Sequence, residues 1–131
     1  MKKIHLLIAI GLSFCLFSGA SCDEGYSVRY SIHNETDDRV YLYFKNDTIW
    51  DTLYTSAQTE LYVWWDTENR GAVEWGLENA DLSFFDELVI KNADDKEFNK
   101  NTSDIENWEK GYPGSGYLGT VKLFVTNEDF Q

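Results

Sequence analysis

Tyr26-Ser27-Val28-Arg29-Tyr30-Ser31-Ile32-His33 alternates apolar and polar side chains without a break over eight residues. Successive side chains of a strand point to opposite faces, so this is the pattern of a strand buried on one side. Asn34-Glu35-Thr36-Asp37-Asp38 follows with turn chemistry. Arg39-Val40-Tyr41-Leu42-Tyr43-Phe44-Lys45 then repeats the alternation, with Val40, Leu42 and Phe44 on one face and Tyr41 and Tyr43 on the other. Residues 26–45 therefore read as a β-hairpin, ended by Asn46-Asp47.

The rest of the chain continues in short segments. Residues 48–54 form a strand, 55–60 a polar turn, and Leu61-Tyr62-Val63-Trp64-Trp65 a buried strand. After a loop at 66–71, residues 73–77 are a strand candidate and Leu88-Val89-Ile90-Lys91 another strand, followed by a turn at 93–96. Ser103-Asp104-Ile105-Glu106 has the spacing of a capping box, with Ile105 and Trp108 three apart, which predicts a single helical turn. Residues 111–119 hold four glycines and the only proline and read as loop, and residues 120–126 as a final strand. The expected fold class is all-β: a single antiparallel β-sandwich over residues 26–131 with no crossover helix, immunoglobulin-like on strand count alone because a Cys-Trp-Cys core signature is missing.

The N-terminus has a different character. Met1-Lys2-Lys3 is a short basic start, and residues 4–17 are apolar apart from His5 and Ser13. The run is too short to span a bilayer and ends in Ser18-Gly19-Ala20-Ser21-Cys22, then Asp23-Glu24, so residues 1–21 read as a cleaved signal peptide. Gly19-Ala20-Ser21-Cys22 resembles the lipobox of bacterial lipoproteins, with Gly19 where a leucine-like residue is usual. That resemblance implies acylation of Cys22 and a short tether over residues 22–25. An ordinary secretory signal cut nearby would also use Ala20 and Ser21 and would leave Cys22 as a free thiol. Cys15 lies in the discarded segment, so with Cys22 acylated the mature chain has no thiol and forms no disulfide. At about 3.3–3.6 Å per residue, three tether residues reach only about 10–15 Å, which sets the domain against its membrane.

Removing residues 1–21 takes away two of the 11 basic residues and none of the 23 acids, leaving 9 against 23, a formal charge of −14. Polyanions are bound by clustered basic residues, so nucleic acid is not an expected partner, and neither is an anionic lipid surface. The acids are spread along the chain, and its aromatic and β-branched content is that of a folded domain.

Catalytic chemistry is poorly supplied, and the expected protein is not an enzyme. The single mature histidine, His33, falls on the polar face of its strand, and Gly114-Ser115-Gly116 lacks the spacing of a nucleophile elbow. Asp66-Thr67-Glu68-Asn69-Arg70-Gly71 opens like a calcium loop but puts Arg70 at a ligand position, and Asp37-Asp38 and Asp94-Asp95 read as solvated turns. No metal site and no cofactor are expected. Aromatic residues are the strongest chemical signal: Tyr41, Tyr43, Tyr62 and Trp64 lie on strand faces opposite the expected core, where rings beside carboxylates and amides suit sugar stacking. The competing explanation is that a core without disulfides packs with aromatics.

The chain as a whole resembles small acidic β-sandwich lipoproteins of gram-negative cell envelopes. The resemblance implies an outer-membrane location, and acids directly after the lipidated cysteine mark the cell surface in some such bacteria and inner-membrane retention in others. The expected partners are the membrane, through acyl chains on Cys22, and a glycan or envelope protein. The alternative is an acidic inhibitor or immunity-type lipoprotein that blocks a basic protein, and a hydrolase ranks last.

Overall fold

The computed structural model describes residues 25–112 and 116–131. The segment 1–21, Cys22 with tether residues Asp23 and Glu24, and Ser115 lie outside the described residues. The fold is mostly β. Its strands are β1 (Tyr26–Asn34), β2 (Val40–Asn46), β3 (Ile49–Thr55), β4 (Thr59–Glu68), β5 (Glu87–Lys91), β6 (Glu109–Gly111) and β7 (Leu118–Val125). They form a four-stranded sheet in the order β4-β1-β7-β6 and a three-stranded sheet in the order β3-β2-β5.

The alternation of β1 buries Tyr26, Val28, Tyr30 and Ile32. These join Val121, Leu123 and Val125 of β7, Val40, Leu42 and Phe44 of β2, and Leu88 and Ile90 of β5 in one cluster, so both sheets bury their apolar faces in a common core. The most completely enclosed side chains are Ile32, Leu42, Ile90, Leu123 and four valines, with Asn34 and Ser31 the polar exceptions.

The hairpin read over residues 26–45 does not form. β1 pairs with β4 and β7, and β2 pairs with β3 and β5, so the two strands lie in different sheets. Asn34 explains the departure. Its buried amide nitrogen reaches the carbonyls of Asp38, Ser56 and Thr55 at 2.8, 3.0 and 3.2 Å, and its oxygen accepts from the N–H and hydroxyl of Thr36. This carries the chain across to the second sheet instead of folding it back. Gln58, in the left-handed region at φ 55°, secures the same corner by donating to the carbonyls of Glu35 and Thr36. β3 and β4 likewise form an arch between the sheets, and both are edge strands.

Other expectations need correction. The sheets are not wholly antiparallel: β1 and β7 run parallel over eight paired residues, their crossover supplied by the intervening chain. Residues 73–77 are helical, forming α1 (Val73–Glu78), because Val73 and Leu77, four apart, both point into the core and Gly76 lets the helix lie against Tyr26. The segment 61–65 is not buried, and the 111–119 loop is shorter at both ends, since Gly111 closes β6 and Leu118 opens β7. A helical turn forms at Ile105–Asn107, but its cap is Asp104, not Ser103: the Asp104 side chain accepts from the Glu106 N–H.

Candidate functional site

Where β4 pairs with β1, the register steps between Tyr30 and Ser31: Tyr30 faces Trp64 but Ser31 faces Tyr62, leaving Val63 as an extra residue. A bulge of one residue reverses the alternation beyond it. Trp64 therefore shares the inner face with Tyr30, whereas Tyr62 and Trp65 both join Arg29 on the outer face. The guanidinium carbon of Arg29 lies 3.9 Å from the Trp65 ring centroid and 5.7 Å from that of Tyr62. Arg29, Tyr62, Val63, Trp64 and Trp65 line a shallow depression of about 400 Å³.

Trp64 lies between the two edge strands. Its ring stacks in parallel on Phe84 at 5.5 Å, Phe84 meets Phe85 at 4.9 Å, and Phe85 meets Phe44 at 5.8 Å, so an aromatic chain runs from the surface into the core. Phe44, Asn46, Asp51, Leu53, Val63, Trp64 and Phe84 line a cleft of about 190 Å³ there. On the outer face of the second sheet, Tyr41 pairs across from Tyr54, Tyr43 from Thr52, and Lys45 from Trp50. Tyr43, Trp50, Val89, Lys91 and Glu97 border a third depression of about 380 Å³, and Arg39 sits 4.3 Å over the Tyr54 ring.

The four aromatics expected from sequence thus occupy three places. Tyr41 and Tyr43 share one sheet's outer face, Tyr62 lies on the other's, and Trp64 stands in the gap. Trp50 and Tyr54 share the face of Tyr41 and Tyr43, Trp65 shares that of Tyr62, and Phe84 stacks on Trp64; none of these four is singled out from sequence. For Trp65 the missing signal is the bulge, which no pattern of apolar residues reveals. Among the described residues, seven of the nine exposed large apolar side chains lie on β3 or β4, the others being Trp75 and Tyr117.

Groups with acid–base capacity are tied to structure. Ser31 donates a short hydrogen bond to Glu60, and Lys122 lies 3.0 Å from the same carboxylate. Burial alone would raise the Glu60 pKa, but the bonds from Ser31 and Lys122, with the charges of Lys122 and His33, hold it below the usual range. His33 stacks on Phe124 with ring centroids 5.4 Å apart. Burial first, then the charges of Asp66 and Asp81, push the Tyr30 hydroxyl up to about 12. Asp94-Asp95 forms a turn organised by Asn92, whose side-chain oxygen accepts from the N–H groups of Asp94 and Lys96. Among the described residues no group of three or more His, Cys, Asp and Glu side chains is placed to hold a metal ion, and no described helix is long and apolar enough to cross a membrane. No protein-family model, curated protein or solved structure matches this chain.

Proposed function

We propose that the chain is a lipid-anchored, non-catalytic binding module with an immunoglobulin-like β-sandwich fold, which holds a glycan against the aromatic side chains of the β3–β4 arch. One observation carries the reading: four of the five tryptophans stay 47–58% exposed, and three of those, Trp50, Trp64 and Trp65, lie on the arch. Exposing that much indole costs solvation free energy, and such surfaces mark places where something docks. Flat rings beside Asp51 and Asn46 suit the C–H faces and hydroxyls of sugars.

The anchor belongs to the same proposal. β1 starts at Tyr26, so an acyl chain on Cys22 would hold the domain by three intervening residues, about 10 Å. The two exposed aromatics away from the arch sit beside this end: Trp75 meets the Tyr26 ring at 6.4 Å, and the Tyr117 carbonyl accepts from the Ser27 N–H. Trp and Tyr in that position suit a membrane interface, with the outer membrane and its external face as the proposed location.

Retention of the mature protein on immobilised polysaccharides tests the binding half. Trp50→Ala, Trp64→Ala and Trp65→Ala should each weaken retention about tenfold, the order of one stacked ring, with the circular dichroism spectrum unchanged. Parental retention in all three variants, or no retention of the parent on any polysaccharide, rules the glycan reading out. Cys22→Ala should release the protein from the membrane fraction, and an intact mass without added lipid refutes the anchor.

A further inference from the structure

We infer that Arg29, Tyr62 and Trp65 form a seat for the carboxylate of an acidic, uronate-type sugar; the inference rests on the glycan reading and narrows it to one substrate class. The seat exists because of the bulge at Val63. A regular β4 would place Tyr62 with Trp64 on the inner side, and the extra residue instead brings Tyr62 beside Arg29. The guanidinium is held over Trp65 at 3.9 Å, so its planar fork is oriented before any ligand arrives.

Arg29 differs from the other basic side chains in combining partial burial with the lack of a partner. Lys45, Lys91, Lys100 and Lys122 each have a carboxylate within 4.0 Å. Among the described residues Arg39, Arg70, Lys96 and Lys110 also lack an ion-pair partner but are exposed, whereas Arg29 is half-buried without one and its Nε is buried without a hydrogen-bond partner. The aromatic rings provide stacking but no acceptor for the fork. A ligand carboxylate accepts two parallel N–H bonds from such a group. One guanidinium matches a planar monoanion, whereas a phosphate dianion calls for a second cation, and the nearby Lys122 is already engaged with Glu60.

The space also fits. The depression of about 400 Å³ lies within the range of small-ligand sites, and Tyr62 and Trp65 remain 58% and 55% exposed with Arg29 against them. Their open ring surfaces can take the C–H face of a sugar while its carboxylate meets the terminal nitrogens.

The test compares a neutral oligosaccharide carrying a single terminal galacturonate with the same oligosaccharide after reduction of that carboxyl group to an alcohol, titrated against the mature protein in detergent micelles. The parent should bind the acidic form about tenfold more tightly than the reduced form, as expected for one bidentate charged pair. Arg29→Gln should erase that preference, so that the acidic and reduced forms bind equally, while Arg29→Lys should restore only part of it. Equal affinity of the parent for both forms overturns the inference without using any variant, and so does a preference that survives Arg29→Gln. In both cases the glycan reading stands. Binding of neither oligosaccharide, together with failure on every immobilised polysaccharide, removes the glycan reading and this inference at once.

Discussion

The centre of the core and the β3–β4 arch are built from different side chains. At the centre, Ile32, Leu42, Ile90, Leu123 and the four enclosed valines supply branched aliphatic groups and no aromatic ring. On the arch, Trp50, Tyr54, Tyr62, Trp64 and Trp65 are all exposed. Around that centre Tyr26, Tyr30, Phe44, Phe85, Phe98, Trp108 and Phe130 are buried, so packing of a disulfide-free core accounts for these rings and leaves the exposed rings of the arch unexplained. Trp108 alone among the tryptophans is buried, and there its indole N–H donates to the Thr102 carbonyl at 2.9 Å. The arch spends its rings where they stabilise the fold least, which is the arrangement of a surface kept for contact.

Five substitutions test the contrast, beginning with the largest expected effect. Leu123→Ala removes a fully enclosed side chain and should cost about 3–5 kcal/mol in urea unfolding, provided the centre is as tightly packed as its burial indicates. Asn34→Ala strips the carbonyls of Asp38, Thr55 and Ser56 of their shared donor and should cost about 2–3 kcal/mol. Gly76→Ala would set a methyl group among the ring atoms of the buried Tyr26 and should cost about 1–3 kcal/mol with helix α1 displaced, seen as a lowered midpoint and altered near-ultraviolet dichroism.

Asp129 adds a smaller, pH-dependent effect at the C-terminal turn Asn127–Phe130. Burial would raise its pKa, but the Lys100 ammonium at 2.8 Å and the N–H and hydroxyl of Thr126 hold it below the ordinary value. A depressed carboxylate stabilises the fold fully above its unfolded pKa, about 3.9, and loses that contribution as pH falls through the lower folded value. Stability should therefore drop as pH falls below about 4, and Asp129→Asn should flatten that drop. Glu60, also held low, should act in the same direction. The smallest effect belongs to the arch: Trp65→Ala should change stability by no more than about 0.5 kcal/mol while reducing ligand retention. A loss comparable with that of Leu123→Ala would dissolve the distinction between the two regions.

The alternating pattern of β1 identified its buried face correctly, and β2, β3, β5 and β7 were also readable from short apolar segments. Period-two alternation names a face but not a partner, which is why β1 was matched with β2. The residues of the connector, Asn34 to Asp38, are equally compatible with a turn and an arch. The decision lies in Asn34 reaching Thr55 and Ser56, which are distant in sequence. Apolar segments of five residues carry no unambiguous period, so 73–77 passed for a strand and 61–65 for a buried one. β6 has no apolar residue to announce it. For the candidate site, the aromatic chemistry was legible but its grouping was not, because one inserted residue at Val63 decides which rings are neighbours.

The parallel pairing of β1 with β7 bears on how the molecule carries load. The eight pairs from Ser27–Leu118 to Asn34–Val125 run along one direction, so a pull applied at Tyr26 and at Val125 acts lengthwise on the whole row of interstrand bonds. The bonds then share the force and yield together instead of peeling one after another. A domain gripped at the start of its first strand and tugged from the opposite end would hold as a shear joint.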